Sequence, residues 1–137
     1  MSHQQSFEIR TRGRGTTDIT AEVARAVRAS GIGTGIAQVY AQHTSCSVII
    51  TENADPAVRR DLEMLAERWA PDGDPAYRHD TEGVDDMAAH ARSLLAGHAV
   101  SVPVGKGALL LGTWQGIYLW EHRAGMQLRR VIVTVLG

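Results

Sequence analysis

The chain has 137 residues, 44% of them hydrophobic and 21% charged, and its 14 basic and 15 acidic side chains leave a net charge of −1. This length suits one domain with a single core. The balanced charge excludes the basic surface typical of proteins that bind nucleic acid or anionic membranes. No apolar run reaches the roughly 18 residues of a membrane span, and the N-terminal residues lack the apolar segment of a signal peptide. We therefore expect a cytoplasmic protein with neither nucleic acid nor a membrane as partner.

The first half of the chain predicts a strand, a helix and two more strands, in residues 5–13, 19–33, 35–42 and 45–51. In this helix, Thr20 is placed to cap the N-terminus and Gly31 to end the last turn. Apolar side chains recur at helical spacing between these two residues. One face of the helix is therefore expected to enter the core.

Two further helices are predicted in residues 55–71 and 85–98. Asp55 caps the first of them and Pro56 takes its first helical position, whereas Asp85 is placed to cap the second. The faces predicted to be buried are Val58, Leu62, Leu65 and Trp69 in the first helix and Met87, Ala91 and Leu94 in the second.

Four strands close the chain, in residues 99–104, 108–115, 116–121 and 128–136, the first two joined by a tight Gly-Lys-Gly turn. The order of elements predicts a single α+β domain over residues 1–137, with a mainly antiparallel sheet and about three helices. Several strands are apolar on both faces, yet a helix layer covers only one face. Either a second sheet of the same chain or a symmetric oligomer must bury the other.

The segment QHTSCSVIITENADP, residues 42–56, contains the chain's only cysteine. A single cysteine excludes an internal disulfide and a cysteine-rich zinc site, so histidines and carboxylates must hold any metal ion. Side chains alternate along a strand, and Cys46 shares a face with Val48. We therefore expect Cys46 to be buried and unreactive. The same alternation places His43 and Ser45 together, on a face that suits a polar pocket.

A second group of polar residues lies in the loop of residues 70–83 and in the helix after it. His90 follows Asp86 by one helical turn, so the carboxylate can share a metal ion with it or hold its imidazole. The alternative is a hydrogen-bonded histidine of the core. His79, in the loop, can approach the same place. Together with His43, these histidines would form a ligand set for zinc or a similar ion with an open position for water.

The strand GIYLWE ends at Glu121, and Gln115 lies on the same face by parity. The aromatic side chains on the opposite face indicate core or interface packing rather than base stacking. Arg130 either contacts an anion or only occupies the edge of the last strand. The sequence around Lys106 lacks the phosphate-loop pattern, so a hairpin turn is expected there.

These motifs together resemble one known family. QHTSCSVIITENADPAVRRDLE, YRHDTEGVDDMAAH, LLGTWQGIYLWEHR and RRVIVTVLG are similar, in this order, to motifs of the YjbQ family, also called the secondary thiamine-phosphate synthase family. The likeness covers essentially the whole chain. It implies a compact α+β subunit that assembles as a homotrimer, with pockets near the subunit contacts. It also implies a weak transferase activity that joins pyrimidine diphosphate and thiazole phosphate precursors into thiamine phosphate.

The resemblance also indicates which residues form the site. It places the family's histidines at His43, His79 and His90, and these are the predicted ligands of a divalent metal ion, zinc or magnesium. The predicted catalytic residues are His43, Asp86 and Glu121. The predicted ligand-binding residues are Thr44, Ser45, Gln115 and Arg130. Much of the wider family follows the strand-end glutamate with Asp-Gly, whereas this chain has His122 and Arg123, so His122 is a candidate further ligand.

Three hypotheses remain open at this point. The first is an enzyme that uses a metal ion to neutralise a diphosphate leaving group or to activate water. The second is a non-catalytic homotrimer that binds a small phosphorylated or anionic molecule in an intersubunit pocket. In the third, the histidines only hold the trimer together. Because the sequence offers no diphosphate cradle beyond scattered arginines and hydroxyls, we expect thiamine-phosphate synthesis to be a secondary activity.

Overall fold

The computed structural model describes all residues from Met1 to Gly137. It contains eight strands and three helices. In chain order they are β1 (Ser2–Thr11), β2 (Gly15–Asp18), α1 (Thr20–Ser30), β3 (Gly35–Ala41), β4 (Cys46–Glu52), α2 (Pro56–Trp69), α3 (Asp86–Ala96), β5 (Ala99–Gly105), β6 (Ala108–Leu109), β7 (Gln115–Glu121) and β8 (Gln127–Leu136). The predicted α+β class with three helices is confirmed.

The strands form two antiparallel sheets. One has five strands in the order β1-β8-β3-β5-β6, and the other has three in the order β2-β7-β4. Both sheets and α1 bury apolar side chains in one core, with Val133 from the larger sheet, Leu119 from the smaller sheet and Val27 from α1 among its members. The second sheet that the sequence offered as one explanation for doubly apolar strands is therefore present within the chain.

Helix α1 ends where the sequence predicted but begins differently. Gly31 takes a left-handed conformation with φ of 66°, which favours glycine at a helix end. Thr20 is not the N-cap, because it already lies in the first turn and its hydroxyl accepts a hydrogen bond from the N–H of Ile117 at 2.9 Å. The preceding Asp18 supplies the capping interaction, since its carboxylate accepts from the Thr20 N–H at 2.9 Å.

The start of α2 is confirmed, whereas its predicted face is only half-buried at Val58, Leu62 and Leu65. Asp55 Oδ1 accepts from the Ala57 N–H at 2.9 Å and Pro56 opens the helix. Trp69, predicted to be buried, is 54% exposed, and Ala66 is the residue of this helix that is fully covered. An apolar spacing identifies a face of a helix but not the depth at which that face packs.

The prediction for the buried face of α3 was wrong. Leu94 is 77% exposed, and the buried side of the helix carries Asp86, Ala89 and Ser93 together with Arg92. The Ser93 hydroxyl donates to the carbonyl of Cys46 at 2.9 Å, and the Arg92 guanidinium donates to the carbonyl of Ala70. Helix α3 therefore packs through satisfied polar groups and small side chains, which apolar periodicity does not detect.

Two strands differ from the predicted pattern. Strand β2, with sequence GTTD, was missed because it lacks apolar alternation and forms by pairing with the end of β7. The strand predicted over residues 108–115 is reduced to the two residues of β6, after which the chain turns into β7. The longest helix, α2, has 14 residues, and none of the helices has both the length and the apolar character needed to cross a bilayer.

The layers of the fold bring three separate segments to one end of β4. Helix α3 packs against β4, and α2 packs against β2, so both helices cover the smaller sheet. The connection between them, residues 70–85, returns the chain to the start of α3. Because β4 pairs with β7 in antiparallel register, Cys46 at the start of β4 lies opposite Glu121 at the end of β7. Histidine and carboxylate groups from these segments surround this end of the smaller sheet.

Candidate functional site

The first turn of α3 and the loop before it bring two imidazoles to one carboxylate. The Nε2 atoms of His79 and His90 lie 2.7 Å and 3.0 Å from the same oxygen of Asp86, Oδ2. One ligand atom from each residue lies within 4.8 Å of the others. His90 reaches this position because it follows Asp86 by one turn, and His79 because the loop folds back on the helix start. We call these three residues the His79–Asp86–His90 cluster.

The carbonyl of Thr44 determines how His90 faces the cluster. It lies 2.9 Å from His90 Nδ1, and since a carbonyl only accepts, Nδ1 carries a proton there. In the neutral imidazole, Nε2 then carries a lone pair, and this lone pair faces a carboxylate oxygen. Two acceptors at this separation are stable only with a second proton on the ring or a cation nearby. A backbone carbonyl behind a histidine is also the usual support for a metal ligand.

Arg123 forms ion pairs with both aspartates at the start of α3, Asp85 and Asp86. Its guanidinium is 2.8 Å from Asp86 Oδ1 and 2.9 Å from Asp85 Oδ2. The hydrogen bond from Arg123 is the main reason that the pKa of Asp85 falls to about 2. Burial raises the pKa of Asp86. Hydrogen bonding to His79 and the charges of His90 and Arg123 together lower it by more, so the pKa of Asp86 is lowered overall. Both aspartates are ionised at neutral pH.

Asp85 and Arg123 are the functional contacts that the sequence reasoning missed. Asp85 was predicted to cap α3, yet its side chain makes no capping bond and accepts from the Arg123 Nε and from the Ala124 N–H. Arg123 lies 37 positions after Asp86 in the chain, and no local pattern links the two. Only the end of β7 brings them together.

A cavity of about 210 Å³ opens beside His79. Its lining residues are Gly73, Asp74, Pro75, Tyr77, His79, Asp80, Gly83 and Val84. The side chain of His79 is 43% exposed, while that of Asp86 is 7% exposed. The cluster is therefore held in place by α3 at the buried Asp86 and is accessible to solvent at His79.

Comparison with known proteins identifies the family. The family described as UPF0047 protein YjbQ-like matches residues 5–137 of the chain.

The chain belongs to the YjbQ family.

Several known sequences and solved structures are similar to it. A UPF0047 protein of Synechocystis is 44% identical over 135 residues, which cover 98% of this chain and 92% of the relative. The UPF0047 protein YjbQ of Salmonella typhimurium is 40% identical over 140 residues, covering 100% and 99%. The crystal structure of an uncharacterised YjbQ/UPF0047 protein from Clostridium acetobutylicum superposes with a TM-score of 0.88 at 36% identity, over 96% of this chain and 99% of that one. The crystal structure of a hypothetical protein from Aeropyrum pernix superposes with a TM-score of 0.89 at 30% identity, over 98% of each chain.

In this YjbQ-family protein, His43 lies outside the cluster. Its Nε2 accepts a hydrogen bond from the backbone N–H of Arg130 at 2.7 Å, so the lone pair that a metal ion would need is already used. Burial and the positive charge of Arg129 lower its pKa. Within one subunit His43 does not join the cluster, whose third potential donor is Asp86, so a role for His43 as a metal ligand stays a prediction. The same bond occupies the ring nitrogen of His43 that would accept a proton in catalysis.

The parity argument for residues 43–47 holds only from Cys46 onward. Strand β4 begins at Cys46, and the residues before it form a bend. Cys46 is buried in the core, where burial raises the pKa of its thiol to about 11, so its predicted structural role is confirmed. Ser45 and Thr44 do not line a pocket with His43. The Ser45 hydroxyl accepts from Arg129 at 2.9 Å, and Thr44 contributes its carbonyl to His90.

Glu121 is held in a buried ion pair and is not free to act as an acid or base. It is 1% exposed. Its carboxylate accepts from the Arg129 guanidinium, from Thr11 Oγ1 at 2.7 Å and from the Arg123 N–H at 3.0 Å. Burial alone would raise its pKa, but these hydrogen bonds outweigh burial and the pKa is lowered. Glu121 therefore has a structural role in the chain, and its predicted catalytic role stays a prediction.

Gln115 and Arg130 lie elsewhere. Gln115 begins β7, about 20 Å from Glu121 at its other end by the rise of a strand, and its Oε1 accepts from the Gly112 N–H at 2.8 Å. Arg130 points to the outer face of the larger sheet, where its guanidinium donates to Ser6 Oγ at 3.3 Å. Neither side chain reaches the cluster of its own subunit.

His122, the candidate further ligand, is fully buried on the other side of β7. Its Nε2 lies 2.8 Å from Ser47 Oγ, its ring packs against Trp120, and its Nδ1 has no partner. Burial is the main cause that lowers its pKa to about 3, and the nearby Arg92 adds to the effect. His122 is thus a neutral core residue at physiological pH.

We predict that removing one partner of the Arg129–Glu121 pair destabilises the protein strongly. The Arg129→Gln substitution leaves a buried carboxylate without its charge partner, which costs about 3–5 kcal/mol of unfolding free energy. Urea denaturation followed by circular dichroism measures the loss. The double substitution Arg129→Gln with Glu121→Gln should recover part of it. The exposed Arg60→Gln variant is the control and should change stability by less than about 0.5 kcal/mol. A loss below about 1 kcal/mol in Arg129→Gln would contradict the structural role.

His122 predicts how stability depends on pH. Because its folded pKa of about 3 lies below its unfolded value of 6.5, the unfolded state binds more protons between these values. The contribution of neutral His122 to the unfolding free energy is then fully present above pH 6.5 and decreases as the pH falls toward 3. At pH 5 the loss relative to pH 8 is about 2 kcal/mol from this residue. Unfolding free energies of wild type and His122→Gln, measured from pH 8 to pH 5, should show a weaker pH dependence in the variant. Parallel curves would refute the assignment.

Proposed function

We propose that this YjbQ-family protein binds a divalent metal ion at the His79–Asp86–His90 cluster and acts there on a small phosphorylated molecule. The observation that carries the proposal is that the Nε2 atoms of His79 and His90 both lie within 3.0 Å of one oxygen of Asp86, with the Thr44 carbonyl behind the His90 ring. Two imidazoles and one carboxylate are the donor set of many zinc and iron sites. Two nitrogen donors favour zinc over magnesium, which prefers oxygen ligands and water.

The surroundings of the cluster suit this role. A bound divalent ion supplies positive charge that can neutralise a phosphate or diphosphate group or acidify a bound water. Arg123 fixes Asp86 through its second oxygen, so Oδ2 remains directed at the imidazoles. His79 lies at the edge of the 210 Å³ cavity, which gives a small ligand access from solvent.

Thiamine-phosphate synthesis is the activity that we propose to test first. In this reaction the pyrimidine diphosphate precursor is joined to thiazole phosphate and diphosphate is released. Support comes from the resemblance of the motifs and from a cluster suited to an ion that would neutralise the leaving diphosphate. No large diphosphate cradle surrounds the cluster, so we propose this as a weak, secondary activity.

A second candidate function is non-catalytic binding of a small anionic metabolite. The observation that favours it is the state of the predicted acid–base groups. Glu121 is saturated by hydrogen bonds, and His43 accepts one from the backbone. With both groups occupied, the cluster offers a binding centre without a free general base beside it.

We also propose a homotrimer, as the resemblance implies. The outer face of the larger sheet supports it, because apolar side chains there stand 43% to 54% exposed in the single chain: Ile36, Tyr40, Leu128 and Leu136. Ile36 lies opposite Leu136 in the pairing of β3 with β8, so the two form a continuous apolar surface. Such a surface is typical of a protein–protein contact.

The metal proposal predicts stoichiometric zinc binding that depends on the cluster. Isothermal titration of tag-free, chelator-treated protein with zinc should give one site per chain. His90→Ala and His79→Ala should weaken zinc binding at least tenfold, since each removes one of three ligands. The matched control His3→Ala, in β1 away from the cluster, should bind zinc like wild type. Equal zinc binding by His90→Ala and wild type would refute the site.

The same variants separate the two functions. Zinc-loaded wild type that forms thiamine phosphate, with loss of product in His90→Ala, supports the enzyme. Zinc binding together with ligand-induced thermal stabilisation, but no product in a sensitive mass-spectrometric assay, favours the binding protein.

The trimer predicts a mass in solution about three times the 14.8 kDa of one chain. Light scattering coupled to size exclusion measures this mass. Tyr40→Glu places a charge within the proposed contact and should shift the mass toward one chain. Leu94→Glu, at an exposed apolar position on α3, is the control and should keep the wild-type mass. A wild-type mass of one chain would refute the proposal.

A further inference from the structure

The loop that connects β1 to β2 surrounds a polar cavity remote in sequence from the His79–Asp86–His90 cluster. The cavity has a volume of about 310 Å³. It is lined by eight residues, none of them hydrophobic: Arg10, Thr11, Arg12, Gly13, Arg14, Gly15, Thr16 and Thr17. This volume is at the lower end of the range for small-molecule sites. Three of the lining residues are arginines, and none is an aspartate or a glutamate.

The charges at this cavity are only partly compensated. Arg14 is neutralised by Asp72, whose two oxygens lie 2.7 Å and 2.6 Å from its guanidinium nitrogens. Arg10 and Arg12 are exposed, and neither forms an ion pair or a side-chain hydrogen bond. Two arginines without ion-pair partners therefore belong to the lining of one polar cavity, and their positive charge attracts an anion.

The loop is held in place before any ligand arrives. Thr11 Oγ1 donates to the buried Glu121 at 2.7 Å, and Arg14 Nε donates to the carbonyl of His122 at 2.8 Å. Gly13 has φ of 124°, and a Cβ atom there would lie 2.8 Å from the carbonyl oxygen of Ala124. Only glycine permits this close approach. A preorganised site loses less conformational entropy on binding than a mobile one.

We propose that the loop of residues 10–17 is a binding site for a phosphate group. Guanidinium groups match the oxygens of phosphate in planar, two-pronged hydrogen bonds. Two uncompensated positive charges balance the double negative charge of a phosphate monoester better than the single charge of a carboxylate. Of the three threonines in the lining, Thr11 already donates its hydroxyl to Glu121, and Thr16 and Thr17 offer further hydroxyl donors of the kind that surround phosphate.

The site extends the proposed function without depending on the metal ion. Residues 121–124 anchor the loop through Glu121 and His122 and also carry Arg123, which holds Asp86. A phosphate in the loop and a metal ion in the cluster would both be positioned by this segment. The site can therefore hold a second phosphate of a substrate or the phosphate of a separate effector.

The experiment titrates chelator-treated full-length protein with inorganic phosphate, pyrophosphate and glycerol 3-phosphate, followed by ³¹P NMR line broadening. Removal of metal ions separates this test from that of the cluster. We expect saturable binding by wild type and at least tenfold weaker binding by Arg12→Gln and Arg10→Gln. Arg60→Gln removes an exposed charge on α2 and should bind like wild type. Thermal melting of each variant verifies that it is folded.

The outcomes distinguish the sources of the phosphate group. Glycerol 3-phosphate binding at least as tightly as inorganic phosphate supports a site for a phosphorylated metabolite, whereas saturable binding of inorganic phosphate alone supports a site for the free ion. Two results would overturn the proposal: no saturation with any of the three probes in wild type, or equal weakening in Arg60→Gln and Arg12→Gln.

Discussion

The buried ion pair between Arg129 and Glu121 joins the two sheets at the end where the candidate site lies. Arg129 comes from the inner face of β8 in the larger sheet and Glu121 from the end of β7 in the smaller one. The pair also receives the Thr11 hydroxyl from β1 and is bonded to Ser45 before β4. Burial of such a pair is tolerated because its hydrogen bonds are nearly all satisfied. Four segments of the chain thus meet at one ion pair.

The position of residues 121–124 follows from this pair and determines what surrounds it. Arg123 leaves the end of β7 and reaches Asp86 at the start of α3. The carbonyl of His122 holds the loop after β1 through Arg14. One short segment therefore connects the His79–Asp86–His90 cluster with the loop of residues 10–17, which we call the arginine loop. The two regions are far apart in sequence. This connection gives a physical reason why a buried glutamate at this position supports the structure around both regions.

The cluster and the arginine loop divide the chemistry of the proposed site between them. The cluster offers nitrogen and carboxylate ligands with an opening at His79, and the loop offers positive charge without a carboxylate. A small molecule with phosphate groups complements both. The predicted general base and the third histidine are used for structural hydrogen bonds, so the arrangement favours binding and charge neutralisation over proton transfer.

The sequence by itself determined the features that depend on near neighbours in the chain. The Asp55–Pro56 start of α2, the glycine end of α1 and the burial of Cys46 were predicted correctly, because capping, backbone conformation and strand alternation act over a few residues. The spacing of Asp86 and His90 also indicated their pairing. Only the tertiary structure decided that His43 bonds the backbone of β8, that Glu121 is saturated by Arg129 and that Arg123 supports Asp86. Those contacts join residues dozens of positions apart, and their choice depends on sheet register and loop paths that no local pattern specifies.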